Sequence, residues 1–85
     1  MYYIYILISE KTRRYYIGCT KNLKKRLLKH NRGLNKSTKS GIPWKLIRVR
    51  KVIGRREAFD IEKKVKSYKG GNAFKKIVNG EVAAQ

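Results

Sequence analysis

Carboxylates are the scarcest charged groups in this 85-residue chain: five Asp and Glu stand against 23 Lys and Arg, a formal net charge of +18. That surplus favours a polyanionic partner, because cations brought to phosphates release condensed counterions. A single cysteine, Cys19, excludes an internal disulfide and a cysteine-based zinc site, and suits a reducing, cytoplasmic setting. As a nucleophile Cys19 would need an activating base; a small, half-buried thiol is the plainer reading. No apolar run is long enough to span a bilayer, and the apolar opening from Tyr2 to Ile8 is too short for a signal-peptide core and leads to no cleavage-like site. The basic residues are spread along the chain and not gathered on one amphipathic helix, which argues against a membrane partner. Nucleic acid remains, DNA first and RNA as the alternative, in the cytoplasm or on the nucleoid. Repeats and low-complexity segments are missing too, and 85 residues leave little room beyond one domain.

Within that length the elements are short and well punctuated. Five of the six tyrosines lie in the first sixteen residues, on two expected strands, Tyr2 to Ile8 and Tyr15 to Gly18. Joined by Ser9, Glu10, Lys11 and Thr12, these strands would set Tyr5 opposite Tyr16, Ile4 opposite Ile17 and Ile6 opposite Tyr15. The isoleucines then share one face and Tyr3, Tyr5 and Tyr16 the other, whereas a slip of one residue would mix them. Thr20 is placed to cap a helix from Lys21 to His30, with Asn31 and Gly33 to end it. A polar, basic loop runs from Arg32 to the only proline, Pro43. The third strand spans Trp44 to Val52, where Ile47 and Val49 alternate with Arg48 and Arg50. A second helix covers Arg55 to Tyr68, Gly70-Gly71 breaks it, and Asn72 can cap a short third helix through Val78. Residues 80–85 read as a frayed tail beyond a domain of residues 1–79. The expected fold class is α/β: a small three-stranded antiparallel sheet flanked by helices, in the order ββαβαα.

The helices show which polar residues are out of place. On the first, Leu23, Leu27 and Leu28 form the apolar stripe, and Arg26 and His30, four apart on its border, can point at one spot. His30 is either a residue complementing the helix dipole or a hydrogen-bond partner beside a reacting phosphate. Arg26 is either one more solvated cation or a guanidinium matched to the oxygens of a phosphorane-like transition state. On the second helix Ala58, Ile61, Val65 and Tyr68 form the stripe, and Glu62 borders it. An ion pair with a basic neighbour would explain Glu62; so would a divalent metal, since Mg²⁺ or Mn²⁺ takes oxygen ligands, often one or two carboxylates completed by water and phosphate. Glu10 falls in a turn, Glu81 in the tail, and Glu57 and Asp60 towards solvent or the helix start, which makes Glu62 the best single ligand.

Taken in order, these residues resemble the GIY-YIG endonucleases, over nearly the whole chain and closest to the small stand-alone branch. Tyr3-Ile4-Tyr5 stands at the first motif and Tyr16-Ile17-Gly18 at the second. Cys19-Thr20-Lys21-Asn22-Leu23 leads into Arg26-Leu27 and His30-Asn31, Arg56-Glu57-Ala58 precedes Glu62-Lys63-Lys64, and Lys69-Gly70-Gly71-Asn72 introduces the last helix. One departure is the first motif's glycine, which is Tyr3 here. The resemblance implies phosphodiester hydrolysis with one divalent ion, Mg²⁺ or Mn²⁺. It implies Tyr5 as general base, its phenolate favoured by Arg26 and the metal, and Tyr16 hydrogen-bonded to nucleophile or phosphate. Arg26 would stabilise the transition state, His30 would orient Tyr5 or relay its proton, and Glu62 would hold the metal. Gly18 would allow close approach of backbone or substrate, and Asn72, unless it is only a helix cap, would position the scissile phosphate.

Basic stretches containing Arg14, Lys25 and Lys39, together with Arg48 to Lys51, are expected to contact phosphates, which positions a substrate without reading its sequence. Preference for a nucleic-acid shape or for single strands follows, with branched repair intermediates, damaged DNA, invading DNA and RNA all open. Two other readings stay open as well: a binding module on the same fold without cleavage, and a structural RNA-binding protein for which the charge alone would suffice.

Overall fold

β1, Tyr2–Ser9, is the apolar centre of the molecule, and the other elements are arranged by which of its faces they cover. In the computed structural model, which describes residues 1–69 and 71–79, β1 lies between β2, Tyr15–Thr20, and β3, Trp44–Val52, both antiparallel to it. Three helices follow, α1 Leu23–Asn31, α2 Arg55–Ser67 and α3 Asn72–Asn79, with a 3₁₀ turn at Lys39–Gly41. The ββαβαα order and the three-stranded antiparallel sheet agree with the sequence. The frayed tail expected over 80–85 lies outside the described residues.

Side chains of β1 alternate between two layers. Tyr5 and Leu7 pack with Trp44 on one face, against Leu23 and Leu27 of α1. Ile4 and Ile6 face the other way, towards Ala58 and Ile61 of α2 and Phe74 of α3.

The hairpin register differs from the expected one. Tyr5 stands opposite Gly18 and Leu7 opposite Tyr16, a slip of two residues. A slip of two leaves every side chain on its face, so the separation of isoleucines from tyrosines is kept. The turn keeps four residues but moves one position along, to Glu10–Arg13, for a local reason. Ser9 Oγ accepts the backbone N–H groups of Lys11 and Thr12 and donates to Gly41 O, and Arg13 takes a left-handed φ of 64°, which returns the chain to pair Ser9 with Arg14. Tyr3, at the position of the family's glycine, sits in regular pairing with Thr20 and Lys51.

α1 begins two residues later than expected because β2 runs on through Thr20. Thr20 Oγ1 accepts from Asn22 N at 3.2 Å, and Asn22 Oδ1 accepts from Lys25 N at 3.0 Å, so Asn22 is the cap and contributes about 1 kcal/mol. Gly33, φ 76°, ends the helix: its N–H donates to His30 O and that of Leu34 to Lys29 O. Asn31 stays helical and turns its amide on β3, donating to Trp44 O and accepting from Trp44 N at 2.6 Å.

The alternation expected in β3 is broken by a bulge. Pairing shifts between Ile6–Arg48 and Leu7–Leu46, so Ile47 is the extra residue and packs towards Phe74. Val49 consequently falls on the tyrosine face and is 44% exposed.

Candidate active site

Tyr5 is almost wholly buried, and its hydroxyl lies 3.1 Å from His30 Nε2. β1 supplies the phenol and the last turn of α1 the imidazole, which is 0% exposed. His30 Nδ1 in turn meets Thr38 Oγ1 at 2.8 Å, and Thr38 Oγ1 donates to Asn35 O at 3.4 Å. A carbonyl can only accept, which fixes the direction of the chain: Thr38 donates to Asn35, His30 Nδ1–H donates to Thr38, and Nε2 is left to accept the proton of Tyr5. Trp44 closes the base of this group, its indole N–H donating to Thr38 O at 2.7 Å. The Tyr16 ring stands edge-on to His30, with centroids 4.9 Å apart, and 6.3 Å from the Tyr5 ring.

Gly18 faces Tyr5 across the hairpin, and a Cβ there would overlap the phenol, 2.5 Å from Cζ. The glycine is therefore required for close approach by Tyr5 itself and not only by a substrate.

Charge reaches the cluster from two helices. Arg26 on α1 and Glu62 on α2 act on Tyr5 and also on Cys19, which belongs to the opposite layer of the sheet. Both charges are thus felt on the two sides of the sheet. The Tyr5 phenol is pushed up to about 12, chiefly by burial and then by Tyr16, with Arg26 pulling the other way and Glu62 adding to the rise. With Arg26 alone the phenolate is disfavoured, because one arginine does not outweigh desolvation; the phenolate that the resemblance implies calls on the metal as well. Burial, helped by Arg26, holds His30 below its ordinary value. A cationic partner for the helix dipole is the wrong description of this residue; it is a neutral acceptor.

A stability prediction follows. In the unfolded chain His30 titrates near its ordinary 6.5, so below that pH the unfolded state binds more protons. This contribution is whole above pH 6.5 and is lost as pH falls through the lowered folded value. Thermal midpoints measured from pH 7 to 5 should decline, with part of the decline absent in His30→Gln.

Glu62 makes an ion pair with Lys66, Oε2 to Nζ 2.9 Å, its side chain 18% exposed against 54% for the lysine. Such an i,i+4 pair contributes about 0.3–0.5 kcal/mol, so it holds the carboxylate only loosely. No group of three or more His, Cys, Asp or Glu gathers among the described residues. A divalent ion at Glu62 would accordingly rest on one carboxylate with water and phosphate oxygens, a donor set that fits Mg²⁺ or Mn²⁺.

The structure thus brings together Tyr5, Tyr16, Gly18 and His30, with Arg26 and Glu62 near enough for their charges to act on Tyr5. The outer residues stand apart. Asn72 is the exposed first residue of α3 and takes no part in the hydrogen bonding of the Tyr5 cluster. Lys25 is exposed on α1, Lys39 is exposed in the 3₁₀ turn beside Gly33, and Arg14 lines an open groove next to Tyr16. Sequence reasoning missed Thr38 and Trp44, which fix the imidazole, and gave Asn31 no part in holding the start of β3. The only signal for Thr38 was the polar loop between α1 and β3, and nothing in its composition says which residue returns to His30.

A buried tyrosine–histidine pair under the influence of an arginine and a carboxylate, on a small, basic α/β sheet, is the arrangement to set beside known families. The family model described as the GIY-YIG catalytic domain matches residues 1–75, and the chain belongs to that family, a family of nucleases. No curated protein and no solved structure gives a significant match. Among the described residues no helix is long and apolar enough to cross a membrane.

Proposed function

We propose that this protein is a divalent-metal-dependent endonuclease that hydrolyses phosphodiester bonds, of DNA before RNA, selecting shape or strandedness over sequence. The observation that carries the reading is the buried path Tyr5–His30–Thr38, which supplies a phenol with a neutral proton acceptor. Water attacks phosphorus; its proton passes to Tyr5 Oη as the Tyr5 proton passes to His30 Nε2. The bond from phosphorus to the leaving oxygen breaks, and that oxygen is protonated from solvent. The relay needs no free phenolate, which suits a phenol raised to about 12. Arg26 disfavours a charged imidazole, and an arriving phosphate offsets that charge.

Tyr16 orients the water or the phosphate, Arg26 neutralises the charge that builds in the transition state, and Glu62 holds the metal once Lys66 swings away. Mg²⁺ or Mn²⁺ bound there would polarise a phosphate oxygen and stabilise the leaving oxygen. Asn72 positions the scissile phosphate, and Arg14, Lys25 and Lys39 contact flanking phosphates, which gives grip without base readout.

Labelled single-stranded, duplex, flap and branched DNA, incubated with either ion, tests this directly. Glu62→Gln should bind each substrate as the parent does in chelator and cut it at least about a hundredfold more slowly with metal. Equal cutting by both proteins would point to a contaminant, and tight, salt-sensitive binding without products would leave a binding module. Cleavage at one short sequence would overturn the proposed selectivity.

A further inference from the structure

Tyr15 and Tyr16 are neighbours in β2 and point into opposite layers, yet both line one open groove of about 960 Å³. The groove therefore wraps over the outer edge of the sheet, from the hairpin loop to α3. Three exposed cations stand along it: Arg14 before β2, Lys69 after α2 and Lys75 on α3. None of the described lining residues is acidic, and the indole of Trp44 forms part of the wall. The reaction cluster shares Tyr16 and Trp44 with this set, so the groove begins beside the chemistry and leads away from it.

We infer that this groove holds an unpaired nucleic-acid strand leading away from the scissile phosphate, its phosphates on Arg14, Lys69 and Lys75 and a base against the ring of Tyr15 or Tyr16. A positive track with half-exposed aromatic rings is the combination that binds single strands, since any base can stack and the backbone follows the cations. A duplex keeps its bases stacked inside and could offer this groove only phosphates. The ligand class rests on the nuclease reading, but the binding site is independent of the proton path.

Trp44 is the sole tryptophan, and its emission reports what enters the groove. Oligothymidylate should quench it saturably in EDTA, where metal-dependent hydrolysis is silent, with anisotropy of a labelled strand following the same curve. In a Lys69→Ala/Lys75→Ala variant affinity should fall on the order of tenfold, and the log–log salt slope by about 1.4, from about 0.7 per phosphate contact on a single strand. A blunt duplex should compete poorly. Unchanged affinity or slope in the variant, equal competition by duplex, or binding by anisotropy that leaves Trp44 unmoved would each overturn the groove assignment. Cleavage in metal is scored separately: binding as expected without cleavage would sink the nuclease reading alone, and cleavage without this binding would sink the groove alone.

Discussion

Gly18→Ala will lose cleavage by about a hundredfold or more and cost about 1–3 kcal/mol of stability, although it adds a single methyl group. The methyl would stand 2.5 Å from Tyr5 Cζ and overlap the hydroxyl. Tyr5 cannot retreat, because it is 1% exposed and packed between the hairpin and α1. Either β2 parts from β1 or the phenol turns away from His30, and the phenol is the acting group. Urea midpoints and single-turnover rates of Gly18→Ala, Tyr5→Phe and the double variant check this. Full coupling, with the double variant cutting no more slowly than Tyr5→Phe alone, shows that the glycine acts through the tyrosine. Additive losses would mean that Gly18 serves the substrate directly.

Tyr5→Phe will remove about two to four orders of magnitude from the cleavage rate while the fold persists. Its stability cost, about 1–3 kcal/mol, comes from stranding His30 Nε2 as a buried acceptor without a donor. The parent's pH–rate profile separates two roles for the phenol. A relay needs Tyr5 protonated and His30 neutral, so the rate should rise out of an acid limb below pH 6.5 and then stay flat, since the phenol keeps its proton to about 12. A preformed phenolate as base would instead make the rate climb about tenfold per pH unit through the alkaline range. That second profile would overturn the relay and restore Tyr5 as a simple base.

Much of this site was readable before any coordinates, for reasons that differ by residue. Arg26 and His30 were paired by helical spacing, and Tyr5 and Tyr16 by strand alternation, a parity that survives a two-residue slip. The position of the turn did not survive, because Ser9 joins the strand and organises the turn after it through contacts that include Gly41, thirty-two residues away. The helix start moved from Thr20 to Asn22 because pairing with β1 claimed Thr20 as strand. Two good capping residues stood in line, and local propensity cannot rank them. For Tyr5 the sequence shows the neighbouring arginine but not the depth of burial that raises its phenol.

The extra residue at Ile47 is what lets Trp44 and Val52, an even number of positions apart, face opposite layers of the sheet. Before it, β3 gives Trp44 and Leu46 to the layer around Tyr5; after it, Val52 goes to the layer of Ala58 and Ile61. Deletion of Ile47 would leave a regular strand in which Trp44, Leu46 and Val52 keep their partners and their sides, at the cost of one apolar contact near Phe74. The strand can therefore lose its bulge and still supply both layers, whereas a polar residue at Trp44, Leu46 or Val52 would strip one of them.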